Sequence, residues 1–293
     1  MKNTFGSDLS LTIFGESHGR AIGAVLDGMA AGVPVDEAFL AACMDKRRAR
    51  GDGLSTPRVE ADTVQFLSGV VNGRTTGTAV ALLIENTNTR SGDYAKTADL
   101  LRPGHADYTA YAKYHGFQDA RGGGHFSGRV TAALVAGGAI VLGALNRAGI
   151  DITTHIAECA GIPDTRFAPD DPALLAAQAE ALASKTEGFA VLDAAVEEPM
   201  KAAIRAAGAE GDSVGGMLET AILGLPAGIG EPYFDSVESE LAHLAFSIPA
   251  VKGIEFGTGF GFAGLRGSEA NDAFRMTPEG CIVTATNHNA GIN

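Results

Sequence analysis

The stretch LSLTIFGESHGRAIGAVL, residues 9–26, decides how this chain begins to fold. Two short apolar segments, Leu9–Phe14 and Ala21–Leu26, flank the run Gly15-Glu16-Ser17-His18-Gly19. Short apolar segments bounded by glycine are typical of β-strands. The stretch therefore predicts two strands joined by a permissive loop that carries an imidazole.

Segments of the same kind recur along the chain, and helical patterns separate them. Further strands are predicted over Gln65–Val71, Thr78–Ile84, Met217–Leu223 and Gly253–Phe256. Helices are predicted from Asp36 onward, from Ser127 to about Asn146, and over Leu174–Lys185, Pro199–Ala207 and Ser236–Ser247. No low-complexity linker divides the sequence, so we expect residues 1–293 to form a single α+β domain.

A weak internal repeat suggests duplicated strand–helix units. Residues 26–34, LDGMAAGVP, precede one predicted helix, and residues 223–232, LGLPAGIGEP, precede another. Each consists of the end of a strand, a Gly/Pro turn and an acidic helix start. Duplication and simple Gly/Pro punctuation explain the pattern equally well.

Charge and composition exclude some classes of protein. The formal net charge of −13 argues against a general nucleic-acid binder, because duplex binding depends on Lys and Arg that neutralise phosphates. Cys43, Cys159 and Cys281 lack the paired spacing of a zinc site or a redox dithiol, as suits a reducing compartment. We expect no membrane partner, because no stretch approaches the roughly 20 apolar residues that a membrane-spanning helix needs. The N-terminus lacks a secretory pattern, so we predict a soluble cytoplasmic protein.

Two histidines lie in glycine-containing runs that favour proton transfer. His18 follows a predicted strand, and His105 lies in Arg102-Pro103-Gly104-His105-Ala106-Asp107. Imidazole titrates near neutrality, so a pair of such rings on permissive loops favours catalysis over the structural role that single histidines more often have. Asp107 is placed either to orient the His105 ring or to cap the next segment.

The basic run Lys46-Arg47-Arg48-Ala49-Arg50 ends the first predicted helix. Cations at this end of a helix interact favourably with the helix dipole and need no further role. Arginines also suit a clamp for phosphate or carboxylate, because a guanidinium binds these groups bidentately. The run alone does not decide between the two.

A further candidate for anion binding is Arg121-Gly122-Gly123-Gly124-His125-Phe126-Ser127, at the start of the predicted apolar helix. Free backbone N–H groups and the positive end of a helix dipole suit a phosphate or the polar edge of a flavin. Glycines that allow close packing are the alternative. Together with the histidines and arginines, this run predicts an enzyme that acts on a small anionic substrate.

These runs resemble the signatures of the chorismate synthase family. Residues 15–19 with 22–28 resemble the first signature, and residues 102–108 and 124–131 resemble the next two. Further matches in the family's order cover nearly the whole chain, at residues 75–78, 210–215, 248–253 and 266–268. The resemblance implies a layered β-α-β sandwich with internal duplication of strand–helix units, assembled as a homotetramer.

The resemblance also implies a reaction. Chorismate synthases carry out the last step of the shikimate pathway of aromatic biosynthesis, an overall anti-1,4-elimination of phosphate from 5-enolpyruvylshikimate 3-phosphate. They require reduced FMN, although the reaction has no net redox change, and some members use NADPH to reduce the flavin. The resemblance implies that His18 acts near the departing phosphate and that His105 acts near the reduced flavin ring.

Other positions match residues that contact ligands in the family. The resemblance implies substrate binding by Arg47, Arg48, Ser127 and Arg129. It implies flavin contacts at His125, Phe126, Ser127 and, after Pro249, at Ala250. It implies no metal.

The sequence departs from the family pattern in two places. Residues 48–53 lack the usual proline and a second clamp residue, for which Arg50 is a candidate substitute. No residue here matches the family's later flavin-site glycines, its Lys-Pro segment or its Arg-x-Asp run. The alternatives are therefore an active chorismate synthase and a non-catalytic remnant that keeps phosphoester binding. A generic glycine-rich phosphate-binding protein would leave the ordered matches unexplained.

Overall fold

A computed structural model of the protein describes residues 2–56, 59–87, 100–185, 189–278 and 280–292. The strands are β1 Thr4–Gly6, β2 Ser10–Gly15, β3 Ala21–Asp27, β4 Val64–Ser68, β5 Val70–Val71, β6 Arg74–Thr75, β7 Val80–Glu85, β8 Asp151–Cys159, β9 Ile162–Pro163, β10 Gly216–Leu223, β11 Phe274–Met276 and β12 Ile282–Thr284. The helices are α1 Glu37–Arg47, α2 Asp107–Tyr114, α3 Thr131–Arg147, α4 Pro172–Ser184, α5 Glu197–Ala209, α6 Val237–Ser247 and α7 Gly267–Ala270. Short 3₁₀ turns span Arg121–Phe126, Gly128–Val130, Ala194–Val196 and Gly259–Gly264.

The chain forms two compact units. The first comprises residues 1–151 and 204–210, and the second comprises residues 152–203 and 211–293. All the candidate site residues except Ala250 belong to the first unit.

The first unit is built on a five-stranded sheet in the order β1-β2-β3-β7-β4, with antiparallel neighbours. Alternate residues of β3 and β7 point to one face, so both strands contribute buried side chains to one core. That face buries Ile22, Ala24, Leu26, Val80, Leu82 and Ile84. Helices α1 and α3 pack together, and α3 lies against β2, β3 and β7.

A capping residue and buried side chains position α1, and small side chains position α3. Helix α1 begins at Asp36, whose carboxylate accepts a hydrogen bond from the N–H of Phe39, and it buries Leu40 and Met44. Helix α3 presents small residues to the sheet, including Ala132, Ala136 and Ala139. Small side chains let helix and sheet backbones approach closely, and α3 accordingly contacts β2, β3 and β7.

Residues 128–147 correct one expectation from the sequence. This 20-residue helical stretch, which includes α3, is long and apolar enough to cross a bilayer by length and composition. The expectation that no stretch reaches this length was wrong, because small residues such as Ala and Gly make the stretch apolar without making it bulky. In the structure one face of α3 is buried against the sheet as a core helix, while its other face is partly exposed.

The second unit contains a three-stranded sheet in the order β10-β8-β9 and the two-stranded sheet of β11 and β12. Its core contains a polar cluster around His155 of β8, which is fully buried. The ring nitrogen Nδ1 lies 2.9 Å from Asp164, and Nε2 lies 2.8 Å from Glu219. The Phe167 ring packs edge-on against the imidazole at 4.7 Å between centroids.

Most predicted elements of secondary structure are present, with three corrections. The single strand predicted over Gln65–Val71 is divided into β4 and β5, which belong to different sheets. Gly253–Phe256 forms no strand, and its backbone pairs with no neighbouring strand among the described residues. Helix α5 continues through Gly208 to Ala209, so Gly208 is not the stop that its residue type suggests. The helices and sheets agree with the α+β class, whereas the layered sandwich and the duplication stay predictions.

Candidate active site

The turn between β2 and β3 holds His18 in a buried position. The N–H of Gly19 donates to the carbonyl of Glu16 at 3.0 Å and closes the turn. The Ser17 hydroxyl lies 3.0 Å from the carbonyl oxygen of Gly122 and 3.1 Å from Nδ1 of His18. The hydroxyl also lies 3.2 Å from the carbonyl oxygen of Arg121, so it joins the His18 ring to the backbone of the glycine run. The serine thereby holds the orientation of the catalytic candidate.

The glycine run packs directly against this turn. Gly122, Gly123 and Gly124 have φ angles of +58°, +83° and +53°, which side-chain-bearing residues rarely adopt. A Cβ on Gly122 would lie 2.2 Å from Cε1 of His18, and one on Gly124 would lie 2.1 Å from the carbonyl oxygen of Asp119. Glycine is required here for steric reasons, which was the alternative to anion binding in the sequence analysis.

Two further hydrogen bonds fasten the same run to the end of β2. Nδ1 of His125 donates to the carbonyl of Gly15 at 2.8 Å, and the N–H of Ser17 donates to the carbonyl of Gly124 at 3.1 Å. The runs at residues 15–19 and 121–127, which are separated by about a hundred residues of sequence, therefore form one surface.

One buried carboxylate joins two of the predicted substrate-binding arginines. Asp62 forms an ion pair with Nη1 of Arg129 and lies 3.1 Å from Nη1 of Arg47. Nη2 of Arg47 also donates to the carbonyl of Gly128 at 3.0 Å. Burial lowers the pKa of the Arg47 guanidinium, and the Asp62 carboxylate opposes this effect. The two guanidinium groups therefore share one buried counter-ion.

Arg48 is held differently from Arg47. Its guanidinium pairs with Asp45 at 2.7 Å, one turn back on the same helix, and it reaches the carbonyl of Ala61 at 3.5 Å. The structure thus brings Arg47 to Arg129 through Asp62, whereas Arg48 makes its ion pair at the helix surface.

Asp62 and Asn86 are site residues that the sequence analysis missed. Asn86 directly follows β7 and contacts both the His18 turn and Arg129. Neither residue lies in a glycine-rich or basic run, so no local signal marks it. Only the antiparallel pairing of β3 with β7 brings Asn86 beside the His18 turn.

The loop of His105 meets the glycine run at a cavity of about 290 Å³. His105 itself is exposed, and its neighbour Ala106 lines the cavity. Asp107 does not orient the imidazole through a hydrogen bond. Instead it binds the Arg102 guanidinium at 2.8 and 2.9 Å, and these hydrogen bonds lower the pKa of Asp107 to about 2.

The cavity has features that suit a flat heteroaromatic ring. Leu101, Tyr111 and Phe126 supply apolar walls, and Arg121 lines the same cavity. Within the described part of the chain, the buried side-chain oxygen of Gln118 has no hydrogen-bond partner. A buried acceptor is stabilised by a donor such as a ring N–H, so the residues present fit a flavin.

The remaining predicted residues have separate positions. The hydroxyl oxygen of Ser127 accepts from the N–H of Arg129 at 3.2 Å, so it caps the turn that presents this arginine. Ala250 lies in the second unit and has a φ of +70°. Among the described residues, no group of three or more His, Cys, Asp or Glu is arranged to hold a metal ion.

His18, the Asp62-linked arginines and the cavity beside the glycine run lie in the same unit and supply groups that can transfer a proton and bind an anion. Comparisons with known proteins identify the class more closely. The sequence profile of chorismate synthase matches residues 9–293. The chorismate synthase of Chitinophaga pinensis is 44% identical over 290 residues, which cover 99% of this chain and 75% of that protein. The chorismate synthase of Methanosarcina barkeri is 44% identical over 292 residues, covering 99% of this chain and 77% of that protein.

A solved structure agrees with these relatives. A crystal structure of chorismate synthase superposes with a TM-score of 0.78 at 27% identity, covering 97% of this chain and 79% of that one. The chain therefore belongs to the chorismate synthase family. Its function is that of a carbon–oxygen lyase, and the resemblance seen in the sequence is confirmed.

Proposed function

We propose that this chain converts 5-enolpyruvylshikimate 3-phosphate to chorismate and phosphate, with His18, Arg47, Arg129 and His105 as its principal site residues. The observation that carries this proposal is the cluster in the first unit. There the buried His18 turn, the glycine run and the Asp62-linked arginines form one hydrogen-bonded assembly.

Arg47 and Arg129 bind and orient the substrate through its anionic groups. The reacting molecule carries phosphate and carboxylates, and guanidinium groups bind both with directional hydrogen bonds. Asp62 neutralises one of the two positive charges and bridges the two guanidinium groups, so that the clamp is in place before the substrate arrives.

His18 donates a proton to the departing phosphate. In the overall reaction one C–O bond and one C–H bond break, a C=C bond forms, and phosphate and a proton are released. Phosphate leaves more readily when its developing charge is neutralised, and a protonated imidazole is the group suited to this near neutral pH. The Ser17 hydroxyl and the Gly122 backbone hold the ring in place for this step.

The cavity beside the His105 loop holds reduced FMN in this proposal. When bound, the flavin supplies transient electron density to the substrate without net redox change. Phe126 and Tyr111, which line the cavity, would pack against the ring, and the unpartnered side-chain oxygen of Gln118 would accept a hydrogen bond from it. In this proposal the anionic ring would lie beside His105 and Arg121, and the Arg121 guanidinium, which also pairs with Asp119, would stabilise that charge state. His125, Ser127 and Ala250 are further proposed flavin contacts, and Ser127 and Arg48 further substrate contacts.

Family membership supports several further proposals about architecture, assembly and location. Residues 1–293 act as one chorismate-synthase-like domain, with a layered β-α-β sandwich and duplicated strand–helix units. The enzyme works in the cytoplasm as a homotetramer, on a small molecule rather than nucleic acid, and NADPH is a candidate reductant of the flavin. The non-catalytic alternative is not favoured, because the family match covers nearly the whole chain.

An anaerobic assay tests this function. The purified chain is mixed with reduced FMN and the enolpyruvyl phosphate, and chorismate absorbance is followed together with the flavin spectrum. We expect chorismate to form, and His18→Ala and His105→Ala each to lower turnover by about 100-fold or more while the circular dichroism spectrum stays unchanged. Binding without chorismate would support the non-catalytic alternative, and unchanged rates in both variants would refute the assigned roles.

A further inference from the structure

Asn86 is the residue that links the His18 turn to Arg129 directly. It is the first residue after β7, and its backbone N–H donates to the carbonyl of Arg20 at 3.2 Å. This bond continues the antiparallel pairing of β3 and β7 by one step beyond the strand. The position of the Asn86 side chain is therefore set by the sheet.

The side-chain amide of Asn86 uses both its donors and its acceptor. Nδ2 donates to the carbonyl of Glu16 at 3.0 Å and to the carbonyl of Gly19 at 2.9 Å. These two carbonyls stand at the beginning and the end of the turn that carries His18. Oδ1 accepts from Nε of Arg129 at 3.0 Å. One planar group thus joins the two ends of the histidine turn to the arginine.

We propose that Asn86 is a positioning residue that fixes His18 and Arg129 relative to each other. This inference rests on the proposed function, in which His18 donates a proton and Arg129 binds the substrate. Misplacement of a reacting group by about 1 Å can lower a rate about 100-fold, so a rigid link between donor and anion binder has a direct effect on turnover. Asparagine suits the position because aspartate has no N–H donors and glutamine is longer by one methylene.

Two substitutions separate the two halves of this link. In Asn86→Asp, one carboxylate oxygen still accepts from Nε of Arg129, while the other faces the carbonyls of Glu16 and Gly19 and repels them. We expect kcat to fall at least about 10-fold, and the substrate dissociation constant, measured by calorimetry without flavin, to stay within about 3-fold. In Asn86→Ala both contacts are lost. We expect kcat to fall similarly and the dissociation constant to rise about 10-fold.

The neighbouring residue provides a matched control. Thr87 stands at the same end of β7, and its hydroxyl donates to the buried Glu60 at 2.8 Å rather than to the His18 turn. Thr87→Val preserves the shape and removes this hydrogen bond. We expect kcat and the dissociation constant to stay within about 3-fold, even where the melting temperature falls as far as in the Asn86 variants.

A double-mutant cycle tests whether Asn86 acts through His18. If it does, Asn86→Asp in a His18→Ala background lowers kcat by less than about 3-fold, because the group it positions is already absent. Additive losses, or an Asn86→Asp enzyme with normal kcat and a weakened substrate complex, would overturn the inference. Failure of both Asn86 variants to fold would assign the residue a structural role instead. Chorismate formation by the unchanged chain is measured in the same series, and its absence would refute the proposed function and this inference with it.

Discussion

The backbone of Gly122 and the imidazole of His18 are in direct contact, and the space for a side chain at Gly122 is occupied by the ring. A Cβ at this position would lie 2.2 Å from Cε1 of His18. The Gly122 backbone is therefore part of the wall that determines where the His18 ring lies.

Gly122→Ala should displace the His18 ring and slow the reaction. The residue would also keep a φ of +58°, which destabilises a residue with a side chain by about 1–2 kcal/mol. We expect kcat to fall about 10-fold to 100-fold in the anaerobic assay, with a modest decrease in melting temperature. Gly138→Ala in α3, where a Cβ meets no atom within 4 Å, is the control and should leave kcat unchanged. A normal kcat for Gly122→Ala would contradict this role.

Asp62→Ala should destabilise the first unit strongly. Its carboxylate is buried between Arg47 and Arg129, and its removal leaves the buried Arg129 charge without its partner. We expect the free energy of unfolding in urea to fall by about 3–5 kcal/mol. Asp45→Ala removes an exposed ion pair with Arg48 and should change it by about 1 kcal/mol or less. Equal effects of the two substitutions would show that the burial of Asp62 is unimportant.

Arg47→Ala and Arg48→Ala should differ in their effect on substrate binding. Arg47 is tied to the Asp62 and Arg129 cluster, while Arg48 pairs with Asp45. We expect Arg47→Ala to raise the substrate dissociation constant at least about 10-fold, as loss of a charged hydrogen bond does, and Arg48→Ala to raise it less than about 3-fold. Calorimetry without flavin measures both values. The reverse order would place the clamp on Arg48.

Asp164→Asn should remove a pH-dependent contribution to the stability of the second unit. Burial raises the pKa of Asp164. Hydrogen bonds from the N–H groups of Leu192 and Asp193 and from the His155 ring lower it by a larger amount, so the pKa of Asp164 lies below its ordinary value. A lowered pKa gives stability that is complete above the ordinary pKa of about 4 and is lost as the pH falls below it.

Thermal unfolding between pH 7 and pH 2.5 measures this contribution. We expect Asp164→Asn to be about 1–3 kcal/mol less stable at pH 7, with a difference that narrows below about pH 4. Asp170→Asn, at an exposed position, should match the unchanged chain throughout. If the two proteins differ in stability by the same amount at every pH, Asp164 is not ionised in the folded chain.

Strands β2, β3 and β7 of the first unit could be predicted because their signals are local, whereas the short strands β1 and β6 were not predicted. Ile22, Ala24 and Leu26 alternate along β3, and glycine marks where β2 ends. Strand β8 was missed because its buried face carries His155 as well as Ala157 and Cys159. Histidine counts as a polar residue, so it interrupts the alternation of apolar residues that predicts a half-buried strand. Its burial is favourable here because the fold places two carboxylates against its ring.

The arginine cluster shows the same limit. Arg47 and Arg48 are adjacent at a helix end, where neighbouring side chains point about 100° apart. The sequence therefore cannot tell which of them faces Asp62 without the position of that residue. Asp62 and Asn86 lie in irregular segments outside the glycine-rich and basic runs, so their roles follow from tertiary contacts alone.

The three consecutive positive φ angles at Gly122, Gly123 and Gly124 have a consequence for transplanting this chemistry. The wall behind His18 is made of main chain, and no choice of side chains reproduces it on a loop of ordinary backbone shape. Moving His18 and the arginines onto another scaffold would transfer these side chains without the backbone that holds the imidazole in place. The unit that must be copied is the path of the backbone, with the residues that bind it.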